Sequence, residues 1–274
     1  VNLGEYLKKG RSAVFFSATL LPMNYYRKLL SNRQDDYGIY VESPFSQKNR
    51  CILNAGDVSS LYSRRGYEEY HKIAEYIART VWQHKGNYMV FFPSYKMLEE
   101  VYAVYEEEFS VNWVKCICQN SSMKEQEREE FLQEFEQNQE SLVAFCIMGG
   151  IFSEGIDLLG EKLIGAILVG TGLPQLGNER EILRSFYTEN GENGFDYAYR
   201  YPGMNKVLQA AGRVIRTRED HGVILLLDER FRQREYSNLF PVEWNDRKTC
   251  TLSNVEAQLQ KFWESIPDKI SHKL

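Results

Sequence analysis

Three side chains suited to phosphate chemistry, Gln209, Arg213 and Arg216, lie within eight residues of one another. The apolar pattern of residues 207–216 predicts a helix, and residues three or four apart share one helical face. We therefore expect the amide and both guanidinium groups to point the same way, with Gly212 between them. Two permanently charged guanidinium groups suit the negative charge that develops on a transferring phosphoryl group. The alternative interpretation is a solvated basic end of a helix.

A second candidate segment, residues 149–157, follows a predicted strand and begins with two glycines that permit close backbone approach. The carboxylates of Glu154 and Asp157 stand on either side of Gly155. They can accept a hydrogen bond from a ribose hydroxyl or pair with one of the arginines. Ser153 and the neighbouring backbone amides can face a phosphate of nucleic acid. The alternative is a tight turn followed by a capped helix.

Ser94 and Tyr95 follow another predicted strand. A hydroxyl can donate to a phosphate oxygen, and an aromatic ring can stack on a base, so this pair is a candidate contact for nucleic acid. Alternatively, Ser94 caps the next helix and Tyr95 packs on it. Both interpretations can hold for Ser94.

Ser17, Ala18 and Thr19 come after residues 12–16, which read as a buried strand. Small hydroxyl side chains there can relay hydrogen bonds between a nucleotide site and a strand-binding site. An ordinary turn in which Thr19 is a cap is the alternative.

The elements that must position these residues are predicted from apolar runs that alternate with helical patterns. This order is typical of an α/β fold with a mainly parallel central sheet flanked by helices. We place all four candidate segments at the carboxyl ends of strands, where open α/β sheets bind ligands. The predicted strands cover residues 12–16, 88–92, 113–119, 142–148, 163–169 and 223–227, and the predicted helices include residues 67–82, 94 onward, 178–188 and a C-terminal helix near 255–266.

The last predicted strand is followed by Asp228 and Glu229 and so looks like a Walker B strand, in which Asp228 would hold Mg²⁺. The glycine-rich phosphate loop Gly-x-x-x-x-Gly-Lys-Ser/Thr occurs nowhere in the sequence, however. We therefore predict that Asp228 instead forms an ion pair with Arg230.

Composition limits the kinds of protein this chain can be. The 274 residues carry a net charge of −5, so any contact with nucleic acid needs a local basic groove. The five cysteines are odd in number and lie mostly in apolar runs, which favours reduced thiols and a cytoplasmic location, and none shows metal-ligand spacing. We predict no metal site, no membrane span and no signal peptide, and the missing initiator methionine suggests a fragment.

Taken together, the four segments resemble the second RecA-like domain of superfamily 2 helicases, and within them the XPD/DinG family of DNA helicases. Ser17-Ala18-Thr19 resembles motif III, residues 92–95 motif IV, residues 153–157 motif V, and residues 209–216 motif VI. The turn at residues 172–174 also fits. The resemblance covers roughly residues 12–232.

This resemblance implies that ATP and Mg²⁺ bind between this domain and an N-terminal RecA-like domain that this chain lacks. It implies that Arg213 and Arg216 reach the β- and γ-phosphates and that Gln209 orients the attacking water or contacts the γ-phosphate. Contacts to the nucleotide would come from four further residues: Glu154, Gly155, Asp157 and Gly212. Motif III would couple hydrolysis to movement along single-stranded DNA, in the 5′-to-3′ direction. Any iron–sulfur cluster would lie in the missing part.

We predict a RecA-like helicase domain over residues 1–240 and a C-terminal helical extension over residues 241–274. The predicted function is the C-terminal motor of an ATP-dependent DNA helicase, inactive without its partner domain. Two alternatives remain: a nucleic-acid-binding scaffold without ATPase activity, and a motor directed to RNA.

Overall fold

Seven parallel strands form the centre of this computed structural model, which describes residues 3–31, 33, 35–137, 140–153 and 158–267. Within these ranges the sheet has the order β3-β4-β2-β5-β6-β1-β7. The strands are β1 Arg50–Ala55, β2 Asn87–Phe92, β3 Val114–Cys118, β4 Ser141–Ile147, β5 Gly165–Val169, β6 Gly222–Leu227 and β7 Lys248–Cys250. Every pairing is parallel, which confirms the predicted class of fold.

Helices connect the strands and cover both faces of the sheet, as parallel pairing requires. They are α1 Leu3–Leu7, α2 Met23–Leu30, α3 Tyr67–Val81, α4 Tyr95–Glu108, α5 Glu125–Gln137, α6 Asn178–Glu189, α7 Tyr201–Ala211, α8 Arg234–Ser237 and α9 Val255–Ser265. A single π-helical turn, Asp196–Arg200, leads into α7.

Side chains of each strand alternate between two cores because successive residues point to opposite faces. In β2, Val90 packs with α3, α4 and α9, whereas Met89 and Phe91 pack with α5 and α7. The C-terminal helix α9 joins the first core through Val255, Leu259 and Phe262, which confirms that it docks on the sheet. How the chain divides into domains stays a prediction.

The predicted strand at residues 12–16 is wrong. This segment forms no strand, and 83% of Val14 and 90% of Phe16 are exposed. None of the seven strands in the sheet includes these residues. Its apolar run is therefore not explained by burial within the described part of the chain.

Two strands, β1 and β7, were not predicted. β1 is fully buried between β6 and β7, but its apolar residues are interrupted by Arg50 and Asn54, which weakens its pattern. β7 is only three residues long, and two of them are exposed.

Candidate functional site

The segment with Gln209, Arg213 and Arg216 is not one continuous helix. α7 ends at Ala211, and the backbone N–H groups of Arg213 and Val214 donate three residues back, to Ala210 and Ala211. This tightening after Gly212 ends the helix, since glycine is a poor helix former. The prediction that all three side chains share a helical face is therefore wrong.

The position of this segment relative to the sheet also differs from the prediction. Residues 212–221 connect the end of α7 to the beginning of β6, so they approach the amino end of that strand. The segment therefore belongs to the face of the sheet that α5 and α7 cover, as the burial of Val214 and Ile215 in that core shows. Ser94 and Tyr95, which are predicted contacts for nucleic acid, do follow the carboxyl end of a strand.

Arg213 joins this segment to the one that follows β4. Its guanidinium group donates from Nε (3.2 Å) and from one terminal nitrogen (2.9 Å) to the backbone carbonyl of Ser153. Ser153 itself is fully buried, and its hydroxyl donates to the carbonyl of Gly150 at 2.8 Å. The hydroxyl of Ser153 thus points inward, and its predicted contact with a phosphate stays a prediction.

Arg216 is exposed, and its backbone is held by the buried carboxylate of Asp220. One carboxylate oxygen accepts from the N–H groups of Arg216 and Thr217, both at 2.7 Å, and the other accepts from the Thr217 hydroxyl at 2.8 Å. Burial alone would raise the pKa of Asp220, but the hydrogen bonds from Thr217 and Arg216 outweigh it and lower the pKa. The charged carboxylate fixes the loop from which Arg216 projects.

The remaining predicted nucleotide contacts are placed as follows. Gln209 is half-buried in the last turn of α7, and Gly212 is exposed at its C-cap. Glu154, Gly155 and Asp157 lie outside the described residues. The nucleotide-binding roles of all five stay predictions.

Gly149 allows a close approach, as the sequence suggested, and the group that approaches it is a side chain of α7. Its φ is +73°, and a Cβ there would lie 2.8 Å from Cδ and Cε of Lys206 on α7. The aliphatic part of Lys206 therefore covers the turn after β4. Sequence reasoning missed Lys206, because its distance from Gly149 along the chain gave no signal.

Ser94 and Tyr95 are held firmly at the carboxyl edge of the sheet. Ser94 caps α4 by accepting from the N–H of Met97, as its alternative interpretation predicted. The Tyr95 hydroxyl accepts from Nε2 of Gln119 at 3.1 Å, and the amide oxygen of Gln119 accepts from the N–H of Ile147 at 2.9 Å. Gln119 thus links the loops after β2 and β3 to β4, and the Tyr95 ring stays half-exposed.

Ser17, Ala18 and Thr19 form a local turn. The two hydroxyl groups are 3.2 Å apart, and the N–H of Thr19 donates to Oγ of Ser17. The predicted coupling role stays a prediction.

Asp228 forms the ion pair that the sequence predicted. Its carboxylate accepts from Nε and a terminal nitrogen of Arg230, both at 2.8 Å, and from the hydroxyl of Ser60 at 2.6 Å. Burial would raise the pKa of Asp228, but the hydrogen bonds and charge of Arg230 outweigh it, so the pKa is lowered. Asp228 thereby joins the loops that follow β6 and β1.

Two glycines allow the backbone of α7 to pack closely against the turn after β5. Gly172, in the turn after β5, has φ +67°, and a Cβ there would lie 2.5 Å from the carbonyl oxygen of Gly203. A Cβ on Gly203 would lie 2.7 Å from the carbonyl oxygen of Thr171. The beginning of α7 therefore packs directly on the predicted Gly-Leu-Pro turn.

The described ranges contain no group of three or more His, Cys, Asp or Glu side chains that could hold a metal ion. Burial raises the pKa of the Cys51 thiol to about 11 and the pKa values of Cys116 and Cys118 to about 12. Among the described helices, none has both the length and the apolar character that a membrane span needs.

A profile of helicase C-terminal domains matches residues 77–247. The chain belongs to this family. It is 28% identical to a regulator of telomere elongation helicase 1 homolog of Aedes aegypti, over 94% of this chain and 28% of that protein. It is 26% identical to a probable ATP-dependent helicase of Methanocaldococcus jannaschii, over 70% of this chain and 31% of that protein.

The fold of this helicase C-terminal domain matches that of a solved apo XPD structure. The TM-score is 0.66 at 20% sequence identity, and the match covers 86% of this chain and 47% of that one. The RecA-like fold and the resemblance to the XPD/DinG family are thus confirmed. The chain spans less than a third of the length of these curated relatives.

Proposed function

We propose that this helicase C-terminal domain is the second motor domain of an ATP-dependent helicase that moves along single-stranded DNA. The observation that carries the proposal is the pair of arginines after α7. Arg213 is fixed on the carbonyl of Ser153, and the backbone of Arg216 is fixed by Asp220 while its side chain is exposed. A guanidinium group on a rigid loop is suited to stabilise charge on a phosphoryl group supplied from another surface.

In this proposal the N-terminal RecA-like domain of the same protein supplies the phosphate loop, the Mg²⁺ site and most contacts to ATP. This chain supplies Arg216 to the transferring phosphate, and Arg213 orders the segment after β4. Gln209 orients the attacking water. The absence of a phosphate-loop sequence supports the further proposal that this chain alone does not hydrolyse ATP.

Nucleic acid would bind at a different place, the carboxyl edge near Ser94 and Tyr95. Tyr95 offers a half-exposed ring that its hydrogen bond from Gln119 holds in place. Stacking on such a ring does not depend on base identity, as movement along a strand requires. In this proposal nucleic acid and ATP contact different parts of the chain. The chain can therefore bind both ligands at the same time.

The test is Arg216→Ala in a protein that joins this chain to its N-terminal motor domain. We expect DNA-stimulated ATP turnover to fall by about 10³–10⁵, because the charge on the transferring phosphoryl group loses its stabiliser. The affinity for single-stranded DNA should change little. Arg218→Ala is a matched control, because Arg218 is an exposed arginine in the same loop and its backbone carbonyl accepts from Asn49.

Unchanged turnover in Arg216→Ala would contradict the proposal for this residue. Parallel titrations with DNA and RNA strands at one stated salt concentration would separate a DNA motor from an RNA motor, because backbone contacts depend steeply on salt. Binding without any strand-stimulated ATPase in the joined protein would favour the scaffold alternative.

A further inference from the structure

The loop that follows β1, residues 56–66, carries an exposed tyrosine beside an arginine. Tyr62 is 84% exposed, at the beginning of the single helical turn Tyr62–Arg64. The guanidinium carbon of Arg65 lies 5.5 Å from the centroid of the Tyr62 ring. The Nε of Arg65 donates to the carbonyl of Ser60 at 3.4 Å. The pair thus presents an aromatic face and a positive charge together.

The buried carboxylates of Asp228 and Glu69 hold this loop in place at residues 59 and 60. Ser60 donates from its N–H (3.0 Å) and its hydroxyl to Asp228, and the N–H of Ser59 donates to Glu69 at 3.0 Å. Glu69 is 5% exposed and lies in the first turn of α3. An exposed aromatic ring on an anchored loop loses little conformational freedom when a ligand stacks on it.

The charges of the two neighbouring arginines are used differently. Arg64 forms ion pairs with Glu69 and, at 3.5 Å, with Glu229. Arg65 forms no ion pair with any residue in the described ranges; it contacts the carbonyl of Ser60 and the ring of Tyr62. The positive charge of Arg65 is therefore available to an anion.

The position of the loop connects this pair to the predicted nucleic-acid contacts. A Cβ at Gly170, in the turn after β5, would lie 2.5 Å from Oγ of Ser60 and 3.8 Å from Cγ of Pro93. The loops after β1, β5 and β2 therefore meet at the carboxyl edge. Pro93 directly precedes Ser94 and Tyr95, so both aromatic residues belong to neighbouring loops on one edge.

We propose that Tyr62 and Arg65 form a second contact for single-stranded DNA, in which Tyr62 stacks on a base and Arg65 binds a phosphate. This inference rests on the proposed function and extends it to a site that none of the four motifs contains. A strand that lies along the edge would contact Tyr95 and Tyr62 with different nucleotides. An aromatic ring for the base and a guanidinium group for the backbone are typical of single-strand binding.

The experiment measures binding of the 274-residue chain to two labelled strands of equal length by fluorescence anisotropy. One strand is oligothymidylate, and the other is an abasic strand with the same phosphates. We expect Tyr62→Ala to weaken binding to oligothymidylate by about fivefold or more and to leave abasic binding unchanged. Tyr62→Phe should bind both strands like the wild-type chain, because it keeps an aromatic ring at this position.

Arg65→Gln is expected to weaken binding to both strands. It should also reduce the slope of log affinity against log salt by about 0.7, the value for one phosphate contact on a single strand. Tyr6→Ala is the matched control, because Tyr6 is also exposed, its ring lies 4.9 Å from the Lys9 ammonium group, and α1 contributes nothing to the three loops.

The outcomes separate this inference from the proposed function. If the wild-type chain binds oligothymidylate and Tyr62→Ala binds equally well, the Tyr62 contact is overturned and the proposed function stands. An equal loss on the abasic strand would overturn stacking. If the wild-type chain binds neither strand, both proposals fail. Matching thermal unfolding of all variants ensures that a loss of binding reflects a lost contact.

Discussion

Asp228 links two loops at the carboxyl edge of the sheet. It is fully buried, and its two oxygens accept from Arg230, Ser60 and the N–H of Arg230. All of its lone-pair directions are therefore directed at groups of this chain. This arrangement explains why an acidic residue at a strand end, which resembles a Mg²⁺ ligand in the sequence, is instead part of the scaffold.

Asp228→Asn is expected to lower the free energy of unfolding by about 3 kcal/mol or more. Arg230 would keep its charge at a site where only 13% of its side chain is exposed, with no carboxylate beside it. Urea unfolding at neutral pH measures this loss. Glu229→Gln is the control, because Glu229 is partly exposed and its ion pair with Arg64 should contribute at most about 1 kcal/mol.

The effect of Asp228→Asn on the free energy of unfolding should depend on pH. The pKa of Asp228 in the folded chain lies below its ordinary value of 3.8, so its charge stabilises the fold fully above that value. The stabilisation is lost as the pH falls through the folded-state pKa. The gap in unfolding free energy between wild type and Asp228→Asn should therefore be constant near neutrality and shrink in acid. A gap that widens in acid would contradict this assignment.

At the scale of elements, the turn after β5 and the beginning of α7 pack backbone against backbone. Gly172 needs both its left-handed φ of +67° and the space beside the Gly203 carbonyl. A residue with a side chain is strained at this φ, and its Cβ has no room beside the carbonyl. This contact positions the beginning of α7, and α7 in turn ends two residues before Arg213.

Gly172→Ala is expected to destabilise the chain by about 2 kcal/mol or more, because the new methyl group meets a backbone carbonyl at 2.5 Å in a strained backbone conformation. Thermal unfolding measures the change. Gly177→Ala is the matched control, since a Cβ there has no heavy atom within 4 Å and the backbone is extended. Equal melting temperatures for the two variants would be inconsistent with this packing.

Apolar runs in the sequence predicted β2, β4, β5 and β6, because a strand buried on both faces needs such a run. This pattern missed β1, where polar Arg50 and Asn54 are buried in the sheet, and β7, which has too few residues for a pattern. It wrongly assigned residues 12–16, because an apolar run alone does not show whether a strand partner exists. A local run of apolar residues indicates burial. Whether that run joins a sheet depends on strands that are distant in the sequence.

The geometry of the candidate site could be predicted only in part, and the roles of its residues stay predictions. The Ser94 cap and the ion pair of Asp228 with Arg230 involve residues close in sequence, so their spacing was informative. The bond from Arg213 to Ser153 joins residues 60 positions apart, and helical spacing cannot reveal it. The end of α7 was misplaced because Gly212 was read as an interior residue of the helix.

At the scale of the whole molecule, the segment before α2 exposes apolar side chains that would be expected in a core. Val14, Phe15 and Phe16 present consecutive apolar side chains to solvent. Adjacent exposed apolar side chains are typical of surfaces that contact another protein surface. This exposure supports the proposal that an N-terminal motor domain packs against this chain.

Phe16→Ser tests this proposal at the same scale. In the 274-residue chain we expect a change in unfolding free energy within about 0.5 kcal/mol, because Phe16 is already exposed. In the protein joined to its N-terminal motor domain, the loss should be about 1.5–3 kcal/mol, the value for burying a large apolar side chain.

Val242→Ser provides the comparison, because Val242 is also exposed but lies in the helical turn between α8 and β7. It should have little effect in either protein. An equal effect of Phe16→Ser in both proteins would argue against a covering domain.

The place of β1 in the sheet has a consequence for how the chain folds. Arg50 pairs with Gly222 and Leu53 with Lys248, so both strands that neighbour β1 are synthesised long after β1 itself. Until then β1 has two open edges that can pair with other chains. Closing such distant pairs is slow. A nascent chain that stops before Gly222 would carry a strand without either neighbour, so we expect release of soluble, folded protein only after synthesis passes β7.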